Sequence, residues 1–146
     1  MRRIVLCMVV GVATVFAAMA QEGLNVAEFF SDAYTDNPKV TLVSMSYDKV
    51  EKNGMRKYRS ISVEDSPELA DKIGRAVSKD GASAVSKEVS YREGQLYFGF
   101  YSMGGKRSAR RYLLYLNRRP KGKEKTTLIF IEGNLSDAEV KRMINK

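Results

Sequence analysis

The sequence predicts an α+β fold, an antiparallel meander sheet with helices packed on it. Three observations predict it. Six short runs rich in β-branched and aromatic residues read as strands. The last four are separated by only a few turn-forming residues, which makes sequential strands antiparallel neighbours. Three further segments carry apolar residues at helical spacing behind an Asn or Ser cap. The order is α-β-β-α-β-β-β-β-α, and no linker, repeat or low-complexity tract divides the chain.

The first helix is expected over Asn25–Tyr34. Asn25 can cap it with Glu28 three residues on, and Val26, Phe29, Phe30, Ala33 and Tyr34 form its apolar face. "TDNP" ends it. Residues 39–47, "KVTLVSMSY", read as a strand. "DKVEKNGM" is a connection turning at Asn53-Gly54, and "KYRSISVED" is the second strand. Ser66 is placed to cap the next helix, with Pro67 in its first turn. Leu69, Ile73, Ala76 and Val77 form its buried stripe, and Gly81 its stop. Strands follow at Ala84–Arg92, Gln95–Ser102, Ala109–Asn117 and Thr126–Glu132. Ser136 with Glu139 opens a last helix that buries Val140, Met143 and Ile144.

The N-terminus, "MRRIVLCMVVGVATVFAAMA", has a basic start, an apolar run and a small-x-small end, as a secretory signal peptide does. Its apolar run is shorter than the ~20 residues of a membrane span. Residues 1–20 are therefore expected to be cleaved, leaving a single domain over 21–146. Cleavage removes Arg2 and Arg3 from 25 basic residues and none of the 17 acidic ones, so a net charge of +8 falls to +6. For an exported chain this basicity points away from nucleic acid and towards anionic glycans or membrane surfaces.

Composition narrows the chemistry. The one cysteine, Cys7, lies in the leader, so the mature chain has no thiol for a disulfide, a nucleophile or a metal. Histidine is absent. Ser-His-Asp and Cys-His machinery and HExxH zinc sites are therefore excluded. Gly104-Gly105-Lys106 is not a phosphate loop, because a Walker motif needs glycine where Phe100 stands and Ser or Thr where Arg107 stands. Asp32 and Asp36 read as solvated carboxylates. The sequence predicts a non-catalytic protein without cofactor or metal.

"EFFSDAYTDNPKVTLVSMS" and "TTLIFIEGNLSDAEVKRMI" resemble segments of small exported proteins of Bacteroides-type bacteria, which belong to domain families of unknown function. The order of elements is similar over almost the whole mature chain. The resemblance implies the envelope of a Gram-negative bacterium, in the periplasm or beyond it. It carries no catalytic residues to transfer.

The candidate binding residues lie in "LYFGFYS" and the turn after it. Alternation puts Leu96, Phe98 and Phe100 on one sheet face, meeting the helices, and Tyr97 and Tyr101 on the other. Gly99 between the tyrosines would leave a shelf for a sugar or a lipid headgroup. Dense apolar runs place Phe98, Phe100, Leu114, Ile129 and Ile131 in the core. Arg118, Arg119, Lys121, Lys123 and Lys125 gather in a turn opposed locally by Glu124 alone. The expected site is Tyr97, Tyr101, Arg119, Lys121 and Lys123, contacting an anionic glycan or membrane surface. The alternative is that the tyrosine face meets a protein partner or a second copy. Each cation near an anionic membrane contributes about 1 kcal/mol. A few together give only about millimolar binding, so charge would steer an encounter that the tyrosines complete.

Overall fold

A computed structural model describes residues 24–46, 54–106 and 109–144. The leader expected at residues 1–20, Asn53 of the first turn, and Arg107 lie outside the described residues. The strands are β1 (Val40–Ser46), β2 (Met55–Glu64), β3 (Ser86–Arg92), β4 (Gln95–Gly104), β5 (Arg110–Asn117) and β6 (Lys125–Gly133). The helices are α1 (Pro67–Gly81) and α2 (Asp137–Ile144). All strand pairs are antiparallel, in the spatial order β1-β2-β6-β5-β4-β3. The α+β class is as expected, and β3 to β6 form the meander. The β1–β2 hairpin completes the sheet through β2–β6 pairing, with Ser60 opposite Ile129. No helix among the described residues is long and apolar enough to cross a membrane.

The first element differs from the expected α-helix. It is two 3₁₀ segments, Asn25–Phe30 and Asp32–Tyr34. A 3₁₀ turn eclipses residues three apart, and this aligns Val26 and Phe29, both fully buried. The anticipated Asn25–Glu28 box is absent. The carboxylate of Asp80, at the end of α1, takes the free N–H groups instead. It accepts from Asn25 N at 2.8 Å, Val26 N at 3.0 Å and Asn25 Nδ2 at 2.9 Å.

Both faces of the sheet are covered. On one, α1 and the first 3₁₀ turn set Val26, Phe29, Leu69, Ile73 and Val77 against Ile61, Tyr101, Leu113, Tyr115, Leu128 and Phe130. On the other, Leu135 and Val140 of the α2 region pack on Met55, Phe100, Tyr112, Leu114 and Ile131. Phe98 and Ile129, expected deep in the core, are only half-buried. They lie on this second face, where an eight-residue α2 gives less cover than α1.

The ends of the helices divide the expectations. Ser136 and Glu139 form the capping box, with Glu139 N donating to Ser136 Oγ at 3.2 Å and Ser136 N to Glu139 Oε1 at 3.1 Å. The backbone N–H of Ser136 holds the Glu139 carboxyl below its usual pKa. Ser66 makes no side-chain cap bond to α1. Gly81 is not a stop in a left-handed conformation; it is the last residue of the helix. Its role is spatial, because a methyl group there would overlap Cε1 of Tyr101.

Candidate functional site

The hairpin between β3 and β4 turns at Glu93-Gly94, both with positive φ, the geometry of a type I′ turn. One β4 residue is extra in this hairpin. Ser90 pairs with Phe98 and Tyr91 with Leu96, so Tyr97 is the bulged residue between them. The bulge resets the alternation. Leu96 packs with the α1 core, whereas Phe98 and Phe100 join the α2 core. The three residues therefore do not share a face as expected.

The bulge turns Tyr97 towards the 118–125 turn. Arg92 Cζ lies 4.7 Å from the centre of its ring and Lys121 Nζ lies 5.4 Å from it. A hydrogen bond with Lys121 holds the Tyr97 phenol below its usual pKa, with further help from the charges of Lys121, Arg92 and Arg118. Tyr97 thus gathers cations whose mutual repulsion its negative ring face offsets. In a spectrophotometric titration, Tyr97→Phe should delete absorbance change from the early part of the phenol transition. Added salt should move that part to higher pH by screening the cations. An unaltered early limb would separate Tyr97 from the basic cluster.

Tyr101 is not part of this surface. It is 3 % exposed and lies in the α1 core. Its own ring covers Gly99, where a methyl group would stand 2.5 Å from Cε2. The space left by Gly99 is therefore filled from within the chain, and the expected Tyr-Gly-Tyr shelf is not formed.

Arg119 is half-buried and acts as a strut. Its Nη1 donates to Asp71 Oδ1 on α1 at 2.8 Å, and its N and Nε donate to Asn117 Oδ1 at 3.0 and 3.1 Å. Asn117, itself 1 % exposed, donates to Leu96 O at 3.1 Å. Lys125 lies 3.8 Å from Glu64. The turn is thus opposed by Asp71 and Glu64 as well as Glu124, beyond what its local sequence suggests. Lys121, Lys123 and Arg118 remain exposed. Of the expected site residues, the structure brings Tyr97 and Lys121 together and keeps Lys123 in the same turn. Tyr101 and Arg119 go to structural positions. Arg92 is the addition. Its signal was present in the sequence: a two-residue turn at Glu93-Gly94 folds Arg92 back beside the start of β4.

Among the described residues, no three His, Cys, Asp or Glu side chains converge in a way that could hold a metal ion. A twisted antiparallel sheet with a helix on each face and a basic corner beside its β3–β4 hairpin defines a small α+β domain. The chain belongs to a family of unknown function, DUF6108, whose sequence model matches residues 13–144. No curated protein matches the chain significantly.

Proposed function

We propose that this protein is a non-catalytic binding module, exported to the periplasm of a Gram-negative bacterium, that contacts an anionic envelope component through its basic corner. The observation that carries the reading is the gathering of Arg92 and Lys121 on the Tyr97 ring, with Arg118 and Lys123 exposed beside them. The turn that presents Arg118, Lys121 and Lys123 is tied to α1 through Arg119. Bracing of the turn lowers the backbone freedom lost on binding relative to a loose loop. The ring is occupied by its own cations, so it organises charge and does not serve as a stacking platform. The partner's contribution is phosphate or carboxylate groups, from a lipid headgroup or a glycan.

Vesicles containing phosphatidylglycerol and soluble alginate separate the two sources. Arg92→Gln/Lys121→Gln/Lys123→Gln removes about 3 kcal/mol of attraction at a membrane surface, or about a hundredfold in partitioning at low salt. The fold should be nearly unaffected, since exposed charges contribute little to stability. Binding to alginate alone would assign a glycan, and binding to vesicles alone a lipid. Triple-variant binding equal to wild type on both probes sinks the reading.

A second reading is protein interaction or self-association. Burial of Tyr101 moves it away from the tyrosine face. It now rests on β3, an edge strand flanked and lined by exposed Val85 (76 %), Val89 (38 %) and Tyr91 (65 %). Such an edge can accept a further strand. Light scattering over a concentration series, with Val89→Lys as the control, tests it.

A further inference from the structure

A groove of about 430 Å³ runs between α1 and the paired ends of β4 and β5. One wall is the outer face of α1, carrying Arg75, Ser78 and Lys79; the other holds Gln95 and Arg119; Leu96 and Tyr115 contribute apolar surface between them. Its one carboxylate, Asp71, is engaged by Arg119 at 2.8 Å. Arg75 and Lys79 make no ion pair among the described residues. They are four residues apart and so project on the same side of the helix. Two exposed cations without an ion pair among the described residues therefore border a concavity that also offers a hydroxyl, an amide and an apolar strip; both also border a neighbouring depression shared with Glu28.

Gly74 supports a built site. It sits inside α1, where glycine costs about 1 kcal/mol relative to alanine. The nearest atom to a methyl group at this position would be the Tyr115 hydroxyl, at 3.2 Å. The glycine lets α1 pass close over that hydroxyl and leaves the middle of the groove without a side chain on the helix side.

We infer that this groove binds an acidic sugar unit. The anionic group lies against Arg75 and Lys79, the hydroxyls meet Ser78 and Gln95, and the C–H face of the ring rests on Leu96. The volume falls in the range of small-ligand sites, about 300–1,000 Å³. A neutral sugar would leave the two cations unanswered. The site shares with the Tyr97 corner only the class of partner and uses different residues, so either can fail alone.

Isothermal titration with trigalacturonate and with neutral maltotriose tests it. Trigalacturonate should bind at low salt, and maltotriose about tenfold or more weakly. Arg75→Gln/Lys79→Gln should weaken trigalacturonate by about tenfold or more, since each change removes a charge-assisted contact. Gly74→Gln, which fills the groove without changing charge, should produce a comparable loss with circular dichroism unchanged. If Gly74→Gln alters the fold, the exposed double variant decides the matter by itself. Arg92→Gln/Lys121→Gln/Lys123→Gln should keep trigalacturonate affinity within about twofold. The inference is overturned by failure of trigalacturonate to bind, by equal binding of maltotriose, by wild-type affinity in the double variant, or by loss of binding in the corner variant.

Discussion

Tyr101→Ala is expected to destabilise the fold by ~3–5 kcal/mol, the usual cost of removing a large buried ring and leaving its cavity. The ring is enclosed between Gly99 of β4 and Gly81 of α1. No neighbouring side chain at either glycine can move into the space. A denaturant melt checks this, with Tyr101→Phe as the companion that keeps the ring and stays within about 1.5 kcal/mol of wild type. Alkaline pH gives a second readout. Burial pushes the Tyr101 phenol up to about 12, against about 10 in an unfolded chain. The native state therefore holds the proton longer than the unfolded state does. The resulting stabilisation is full below pH about 10 and is lost as pH rises through about 12. Burial raises Tyr112 and Tyr115 in the same direction. Tyr101→Phe should lessen the alkaline loss without abolishing it. A Tyr101→Ala protein that melts like wild type would return this residue to the surface and restore the tyrosine shelf.

Asp80→Ala is expected to cost about 3 kcal/mol, because it leaves buried donors unpaired as well as removing charge-assisted hydrogen bonds. The position is otherwise unfavourable for an acid. Asp80 lies in the last turn of α1, where the helix dipole repels negative charge, and it is 4 % exposed. The donors of Asn25 and Val26 are what hold the carboxylate there. Limited proteolysis is the local readout: in the variant, cleavage within residues 24–34 should precede cleavage elsewhere by a wide margin. Asp80→Asn should fall between, since an amide retains one acceptor and turns a donor towards a donor. A loss under about 1 kcal/mol with an unchanged cleavage pattern would mean the segment docks through Val26 and Phe29 alone.

The legible parts of the fold were those coded within a few residues. Glu93-Gly94, Ser136 with Glu139, and the α1 stripe of Leu69, Ile73, Ala76 and Val77 each carry their meaning locally, and each element formed where it was expected. Tyr97 stands beside Lys121, but in a geometry that simple alternation along β4 does not predict. A bulge adds one residue without a local signature, and that residue moved Leu96 away from Phe98. In the sequence Gly99 suggests a shelf and Gly81 a stop, because glycine records only that space is needed. What fills the space, here a ring two residues from one glycine and twenty from the other, is decided in three dimensions. Asp80 follows Lys79 on a helix and resembles any solvated acid until the N-terminal segment arrives. Arg119 looked like one turn cation among five; only the approach of Asp71, 48 residues earlier, makes it a strut.

The position of β6 has a kinetic consequence. The last strand among the described residues is an interior strand of the sheet, between β2 and β5. Until residues 125–133 are present, β2 has no inner neighbour, and the α1 core lacks Leu128 and Phe130. Joining β2 to β6 closes a loop of more than half the described chain, so its entropy must be overcome before the central pairing is gained. Folding should therefore take about milliseconds to seconds, as in other proteins dominated by distant pairings. A chain stopped before β6 should remain open to proteolysis throughout its length. The central pairing is gained only once residues 125–133 are available, because both neighbours of β6 precede it in the chain.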